Sequence, residues 1–166
     1  MTGEPLRLTE GFAPGAIGRI TELHGLYYCQ TWNFARSFEA EVADGLSRFS
    51  GLYQQNRDGI WLVWQGGKVV ASATLDASMA DEPGNLRMRW VIADQAIAGK
   101  GIGRMLMDAM MAFADQRHLP VYLWTFDGLV AARRLYEKAG FVLTDERDFT
   151  NWGPPITAQR MERVAR

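Results

Sequence analysis

The stretch Ala98-Gly99-Lys100-Gly101-Ile102-Gly103-Arg104 sets glycines at alternate positions, between a strand-like run and an amphipathic segment. Glycine removes the side chain where a backbone must approach a ligand, and it permits positive φ. A loop of this kind leading into a helix presents unpaired N–H groups and the positive end of the helix dipole, which is the chemistry of a phosphate cradle. The spacing argues against two nucleotide motifs. Gly101 follows Lys100, where a P-loop carries the Ser or Thr that binds magnesium, and G-x-G-x-G is not the G-x-G-x-x-G of a dinucleotide fingerprint. Lys100 and Arg104 could add charge-assisted contacts to phosphate oxygens, or stand as solvated surface charge. The same glycines also suit a turn that binds nothing.

Other residues capable of chemistry are scattered. Tyr136 lies in Leu135-Tyr136-Glu137-Lys138-Ala139-Gly140-Phe141 and shares a helical stripe with Leu129, Ala132 and Ala139, so periodicity alone also allows a core aromatic. Glu22, His24 and Glu39 fall in the first two helical segments, and Asp127 precedes the Tyr136 segment. Each has the chemistry of a base and also that of a surface or capping residue. Tyr27, Tyr28, Trp32 and Phe34 form an unusually aromatic stretch that suits either a substrate wall or a core. Arg87 and Arg89 share one face of a strand, where a guanidinium could take a carboxylate in two-pronged fashion or pair with a neighbouring acid. Cys29 is the only cysteine, which excludes an intrachain disulfide, and His24 and His118 are the only histidines. No metal is expected.

These residues need elements to hold them. Leu6–Thr9 alternates as a short strand. Apolar residues recur at helical spacing from about Pro14 to Tyr28 and again from Phe34 to Phe49, with the aromatic stretch as their connection. Ile60–Trp64 and Val69–Thr74 read as a hairpin around Gly66-Gly67. In Leu86–Ile92, the residues Leu86, Met88, Trp90 and Ile92 are expected to face one way, and Arg87, Arg89 and Val91 the other. A helix should run from about Gly101 to Arg117, a strand over Val121–Phe126, and a further helix should stop at Gly140. Phe141–Leu143 and a strand near Thr157–Val164 complete the chain. The central strand, loop, helix and strand make a βαβ unit with parallel strands, while the hairpins demand antiparallel neighbours, so the class is α/β or α+β with a mixed sheet.

With 166 residues and no repeat or long linker, residues 1–166 are expected to be one domain. A composition of 48% hydrophobic and 22% charged residues is that of an ordinary globular chain. A formal net charge of −1 removes any global electrostatic argument for nucleic acid or an anionic membrane as partner. No run approaches the length needed to span a bilayer, and the first residues lack a secretion signal, so a cytoplasmic location is the expectation. A dimer joined by a terminal strand or sheet edge is compatible with these features.

The order of elements, the G-x-G-x-G turn and the Leu135–Phe141 segment together resemble the GNAT (GCN5-related) N-acetyltransferases, from Leu6 to about Glu162. Leu86–Trp90 and Tyr122–Leu129 are similar in detail to the acetyltransferase domain that some bacterial regulators carry behind a MarR-type helix-turn-helix. The resemblance implies acetyl-CoA bound where two parallel strands splay apart. Backbone of Val91, Ile92 and Ala93 would pair with the pantetheine arm, and backbone from Ala98, Gly99, Lys100, Gly101, Ile102, Gly103 and Arg104 would hold the pyrophosphate. It also implies direct acetyl transfer to an amine of a small molecule, amino acid or peptide through a tetrahedral intermediate, with Tyr136 as general acid. His24 and Glu39 remain the candidate bases, and Tyr28, Trp32, Arg87, Arg89 and Trp124 the candidate acceptor residues. Three positions depart from the family pattern: Ala98 replaces Arg or Gln, Leu129 replaces an asparagine, and Arg87 stands near where many members carry a glutamate base. These departures keep a second reading open, a non-catalytic acyl-CoA sensor.

Overall fold

The computed structural model describes residues 4–166. Along the chain it runs β1 (Arg7–Glu10), α1 (Ala16–Trp32), α2 (Arg36–Leu52), β2 (Gly59–Gln65), β3 (Lys68–Asp76), β4 (Leu86–Ala93), a 3-10 turn (Gln95–Ile97), α3 (Ile102–Gln116), β5 (Val121–Phe126), α4 (Val130–Lys138), β6 (Val142–Phe149) and β7 (Ile156–Arg163). The strands form a seven-stranded sheet in the order β1-β2-β3-β4-β5-β7-β6. Only β4 and β5 pair in parallel; every other neighbouring pair is antiparallel. This is the mixed sheet with flanking helices and one parallel pair that the sequence predicts.

Each face of the sheet carries its own core. On one face Leu106, Met107 and Met110 of α3 and Tyr136 of α4 pack with Trp61, Val63, Leu75 and Leu123. On the other, Ile20 and Leu23 of α1 and Leu46 and Phe49 of α2 pack with Ile60, Leu62 and Phe126. Burial of two apolar stripes against one sheet is what keeps helices of this length folded, since intrinsic propensity alone would leave them marginal.

Local signals account for several boundaries. Gly66 and Gly67 both have positive φ, 58° and 73°, which suits a two-residue hairpin turn between β2 and β3. Gly140, at φ 97°, follows the last turn of α4. The first two helices differ from expectation. α1 continues through Tyr27–Trp32 instead of leaving that stretch as a connection, and stops at Asn33 in the left-handed region, whose N–H caps the Tyr28 carbonyl. Tyr28 and Trp32 stand four residues apart, a helical neighbour spacing that favours the extra turn. α2 then starts at Arg36, because Phe34 and Ala35 spend their N–H groups on Tyr28 O and Trp152 O. β6 also runs beyond Phe141–Leu143 to Phe149. Its residues are mostly exposed, so no apolar alternation announces it, and its pairing with β7 holds it in place.

The largest correction concerns β4. Ser72 pairs with Ile92 and Thr74 with Arg89, so Ala73 alone opposes both Trp90 and Val91. Trp90 adopts φ 50° at this bulge. The extra residue flips the phase of the strand. Leu86 and Met88 enter the core beneath α3 and α4, whereas Trp90 and Ile92 enter the core beneath α1 and α2. The single stripe expected over Leu86, Met88, Trp90 and Ile92 is therefore split between faces. Two buried β3 hydroxyls secure the bulge: Ser72 Oγ donates to the Trp90 carbonyl and Thr74 Oγ1 to the Arg89 carbonyl, each at 2.8 Å.

Candidate active site

β4 and β5 pair over only three positions, Leu86 with Val121, Arg87 with Tyr122 and Met88 with Leu123. Beyond Met88 the two strands part, because the β4 bulge turns that strand while β5 stays in register with β7 as far as Phe126. The cleft has one wall of strand backbone with no strand beside it. Asp94 N–H donates to the Val70 carbonyl on β3, at 2.8 Å. By strand alternation the N–H groups of Val91 and Ala93 then point to the opposite side, the side β5 has left. Ile92 points its backbone to β3 and its side chain into the α1/α2 core.

The glycine loop continues from this wall. Asp94 organises its start: its N–H pairs with β3, its Oδ1 accepts from Ala96 N at 3.0 Å, and its Oδ2 accepts from the Arg19 guanidinium at 2.9 Å. Arg19 belongs to α1 and also donates to the Val69 carbonyl, so one side chain ties the first helix to the base of the loop. The loop glycines have different tasks. Gly99 and Gly101 adopt φ 79° and 74° with open space where a Cβ would stand, so the backbone turn is what they serve. A Cβ on Gly103 would lie 3.1 Å from Leu135 of α4, so there the missing side chain lets α3 and α4 approach. The N–H groups of Gly99 through Arg104 have no protein partner among the described residues, and no side chain caps α3. They lie at the positive end of that helix. Ala98 closes the 3-10 turn through its N–H to Gln95 O, so it contributes shape instead of a free donor. Lys100 is exposed, and Arg104 stands beside Asp108 at 3.7 Å on the surface. Ile102 is buried and anchors the helix start.

Tyr136 is buried on α4 in the core that α3 and α4 share, and burial pushes its phenol up to about 12. Tyr28, from α1, is raised above the ordinary phenol range, first by burial and then by the neighbouring Tyr136 and Tyr27 phenols. The two tyrosines, expected at separate tasks from opposite ends of the chain, are thus within electrostatic reach of each other. Around Tyr28 pack His24 at 5.9 Å, Phe34 at 5.7 Å, Phe38 at 4.9 Å and Phe126 at 6.1 Å between ring centroids. Trp32 packs edge-on to Phe126 at 5.0 Å and covers Gly128. Its indole Nε1 is buried without a hydrogen-bond partner among the described residues.

The candidate bases separate. His24 is buried, and desolvation lowers its imidazole to about 4 despite the bond to the Ile20 carbonyl. A carbonyl only accepts, so Nδ1 at 2.8 Å from Ile20 O carries the proton and Nε2 keeps its lone pair. Glu39 is exposed and lies against Gly25 in an outer groove of about 480 Å³ between α1 and α2, which Glu22 and Cys29 also line. Glu22 pairs with Arg19 at 2.7 Å, and Asp127 is exposed on the turn before α4. Arg89 is placed beside an acid: its guanidinium is 3.4 Å from Asp76 and 4.1 Å above the Trp90 ring, and burial, with Arg87 close by, lowers it to about 10. Arg87 is half-buried opposite Asp76 and beside Tyr122 in register. Trp124 is half-buried under Arg147 at 4.6 Å, on the face shared by Tyr122 and Phe126. One polar residue of the cleft was not singled out by sequence. Thr125 of β5 is buried, and its Oγ1 has no hydrogen-bond partner among the described residues. No local pattern marks it, because a threonine in a strand is unremarkable.

Comparison with known proteins agrees with this fold. An N-acetyltransferase from Staphylococcus aureus Mu50 superposes with a TM-score of 0.78 at 14% identity, covering 97% of this chain and 99% of its own. The yncA protein of Salmonella typhimurium, solved with its cofactor acetyl-CoA, gives 0.73 at 18% identity over 95% and 93%. An acyl-CoA N-acyltransferase from Pseudomonas aeruginosa gives 0.70 at 19% identity over 96% and 100%. No curated protein matches the chain. The model of the acetyltransferase (GNAT) family matches residues 19–141, the span from the first helix through the glycine loop to the end of the Tyr136 segment. The chain belongs to the acetyltransferase (GNAT) family.

Proposed function

We propose that this protein is an acetyl-CoA-dependent N-acetyltransferase whose acceptor is an amine of a small molecule, amino acid or peptide. The observation that carries the reading is a pair of unpartnered backbone donor sets on one side of the cleft, joined by the bonded turn Asp94–Ala98. The sets are Val91 and Ala93 on the open edge of β4, and Gly99–Arg104 at the start of α3. Unpaired backbone groups need partners. An extended chain bearing amides satisfies a strand edge, and a diphosphate satisfies a helix start. Coenzyme A carries both, in that order, and the yncA structure holds acetyl-CoA on the same fold. Bound there, acetyl-CoA would supply the activated acetyl carbon.

The residues of the chain do the rest. Val91 and Ala93 N–H orient the arm and give a donor near the developing oxyanion. Tyr136, held protonated by burial, offers its O–H to the departing sulfur. A thiol loses its proton near ~8.5, well below the value reached by this phenol, so the expected role is hydrogen-bond donation, with water completing the protonation. On the far side, His24, Tyr28, Trp32 and Phe126 make an apolar wall that excludes water and favours a neutral amine. His24 near 4 holds a proton too weakly to serve as the base. The amine therefore sheds one proton to bulk solvent before it binds, and the proton released on amide formation passes through water to the departing thiolate. The Trp32 indole N–H is free to meet an oxygen of the acceptor.

A thiol-release assay across a panel of amines, paired with calorimetric titration of acetyl-CoA, tests the reading. Turnover with at least one amine is expected. Tight binding with no turnover on any acceptor would favour a sensor, and absence of binding would overturn both.

A further inference from the structure

The cleft contains one buried polar group that the proposed mechanism does not use. Thr125 Oγ1 is inaccessible and without a partner, on a residue that is 9% exposed. A hydroxyl in that position normally finds a hydrogen bond, because desolvation without one is unfavourable. Its place in the fold is specific. Val121 and Leu123, of the same strand parity, lie in the core beneath α3 and α4 together with Tyr136. Across β7 its register partner is Gln159, whose side chain is bonded to Arg133 of α4 at 3.0 Å. Thr125 therefore sits under α4, on the face that carries Tyr136. It also lies two residues beyond Leu123, the last β5 residue paired with β4. Continued past Met88 and Leu123, that register would set Thr125 opposite the Trp90–Val91 bulge. Val91 and Thr125 thus stand on the two strands that border the same gap. At the start of α4, Leu129 offers no side-chain hydrogen bond.

We propose that Thr125 is a cofactor-binding residue, whose hydroxyl pairs with an amide of the coenzyme A arm entering between β4 and β5. This rests on the acetyl-CoA reading above and adds a side-chain contact to a site otherwise built of backbone. The hydroxyl destabilises the free protein and is satisfied when the arm is in place. Stability and affinity must then respond in opposite directions to its removal.

Thr125→Val replaces the hydroxyl by a methyl group of nearly the same volume. For a chain of this size, the melting temperature of the ligand-free protein should rise by about 2–4 °C. Calorimetry should show the Kd for coenzyme A weakened about 5- to 15-fold, the loss of one hydrogen bond. Thr125→Ser should bind coenzyme A within about twofold of the unaltered chain, since it keeps the hydroxyl. Adenosine 3′,5′-diphosphate, which lacks the arm, should bind Thr125→Val and the unaltered chain alike. Equal coenzyme A affinity in the valine variant overturns the proposal. So does equal weakening of adenosine 3′,5′-diphosphate, or a lower melting temperature with unchanged affinity, which would place the hydroxyl in a structural bond. If the unaltered chain does not bind coenzyme A, the acetyl-CoA reading itself fails, and that outcome is distinct from the others.

Discussion

The two sides of the cleft are built from different materials. The β4–α3 side is backbone: N–H groups of Val91, Ala93 and Gly99–Arg104, with two glycines in the left-handed region and little side-chain chemistry. The α1 side is side chain: His24, Tyr28, Trp32, Phe34, Phe38 and Phe126 packed ring against ring. A backbone site recognises groups common to every ligand of one type and depends on conformation. A side-chain wall depends on residue identity and shapes what else can enter. On the acetyltransferase reading proposed above, the first would hold the invariant donor and the second a particular acceptor.

Substitutions at each side should break that division in different ways. The largest effect is expected where the sides meet. Tyr136→Phe should lower kcat about 10²- to 10³-fold, the loss of one transition-state hydrogen bond, while calorimetry finds the acetyl-CoA Kd changed less than about twofold. An equal loss of affinity would move Tyr136 from transfer to binding.

Next is the aromatic wall, through His24. Its folded-state value of about 4 lies below the ordinary 6.5, so the unfolded chain binds the proton more readily. Stability is then complete above about pH 7 and falls as pH drops through 6.5 toward 4. The loss attributable to this group approaches roughly 3 kcal/mol at pH 4. Denaturant titrations at pH 7.5 and pH 4 should show a drop smaller by about that amount in His24→Phe.

On the backbone side, a Cβ at Gly101 would meet no neighbouring atom, but Gly101→Val forces a β-branched residue to φ 74°. The strain should weaken coenzyme A about tenfold and leave the acceptor KM unchanged at saturating cofactor. The smallest effect is expected at Trp32. Trp32→Phe keeps a ring against Phe126 and removes the N–H, so the KM for an oxygen-bearing acceptor should rise about fivefold while that for acetyl-CoA stays constant. Were Trp32→Phe to raise the acetyl-CoA KM instead, the division between the two sides would not hold.

This contrast also explains how much was legible beforehand. The glycine loop is read from consecutive residues, since a strand, a turn and a helix start are local. The stripe of Tyr136 was equally local, and its burial follows it. The β4 face was misassigned from Trp90 onward, because strand parity assumes an unbroken ladder and the bulge depends on Ala73, sixteen or more residues upstream. Arg89 offered two readings until Asp76 appeared beside it. Glu39 and His24 looked alike as bases on neighbouring helices; burial of one and exposure of the other on an outer groove separates them.

By itself the sequence determined the mixed α/β class, the glycine turn that opens α3 and the helix that presents Tyr136. Each depends on backbone preferences and periodicities contained within a few turns of chain. Only the tertiary structure decided where β4 changes face, where β4 and β5 part, and which polar atoms are left without partners in the gap. Those are properties of pairing between distant segments. A hydroxyl such as that of Thr125 becomes informative only once every neighbour that could have satisfied it is in place.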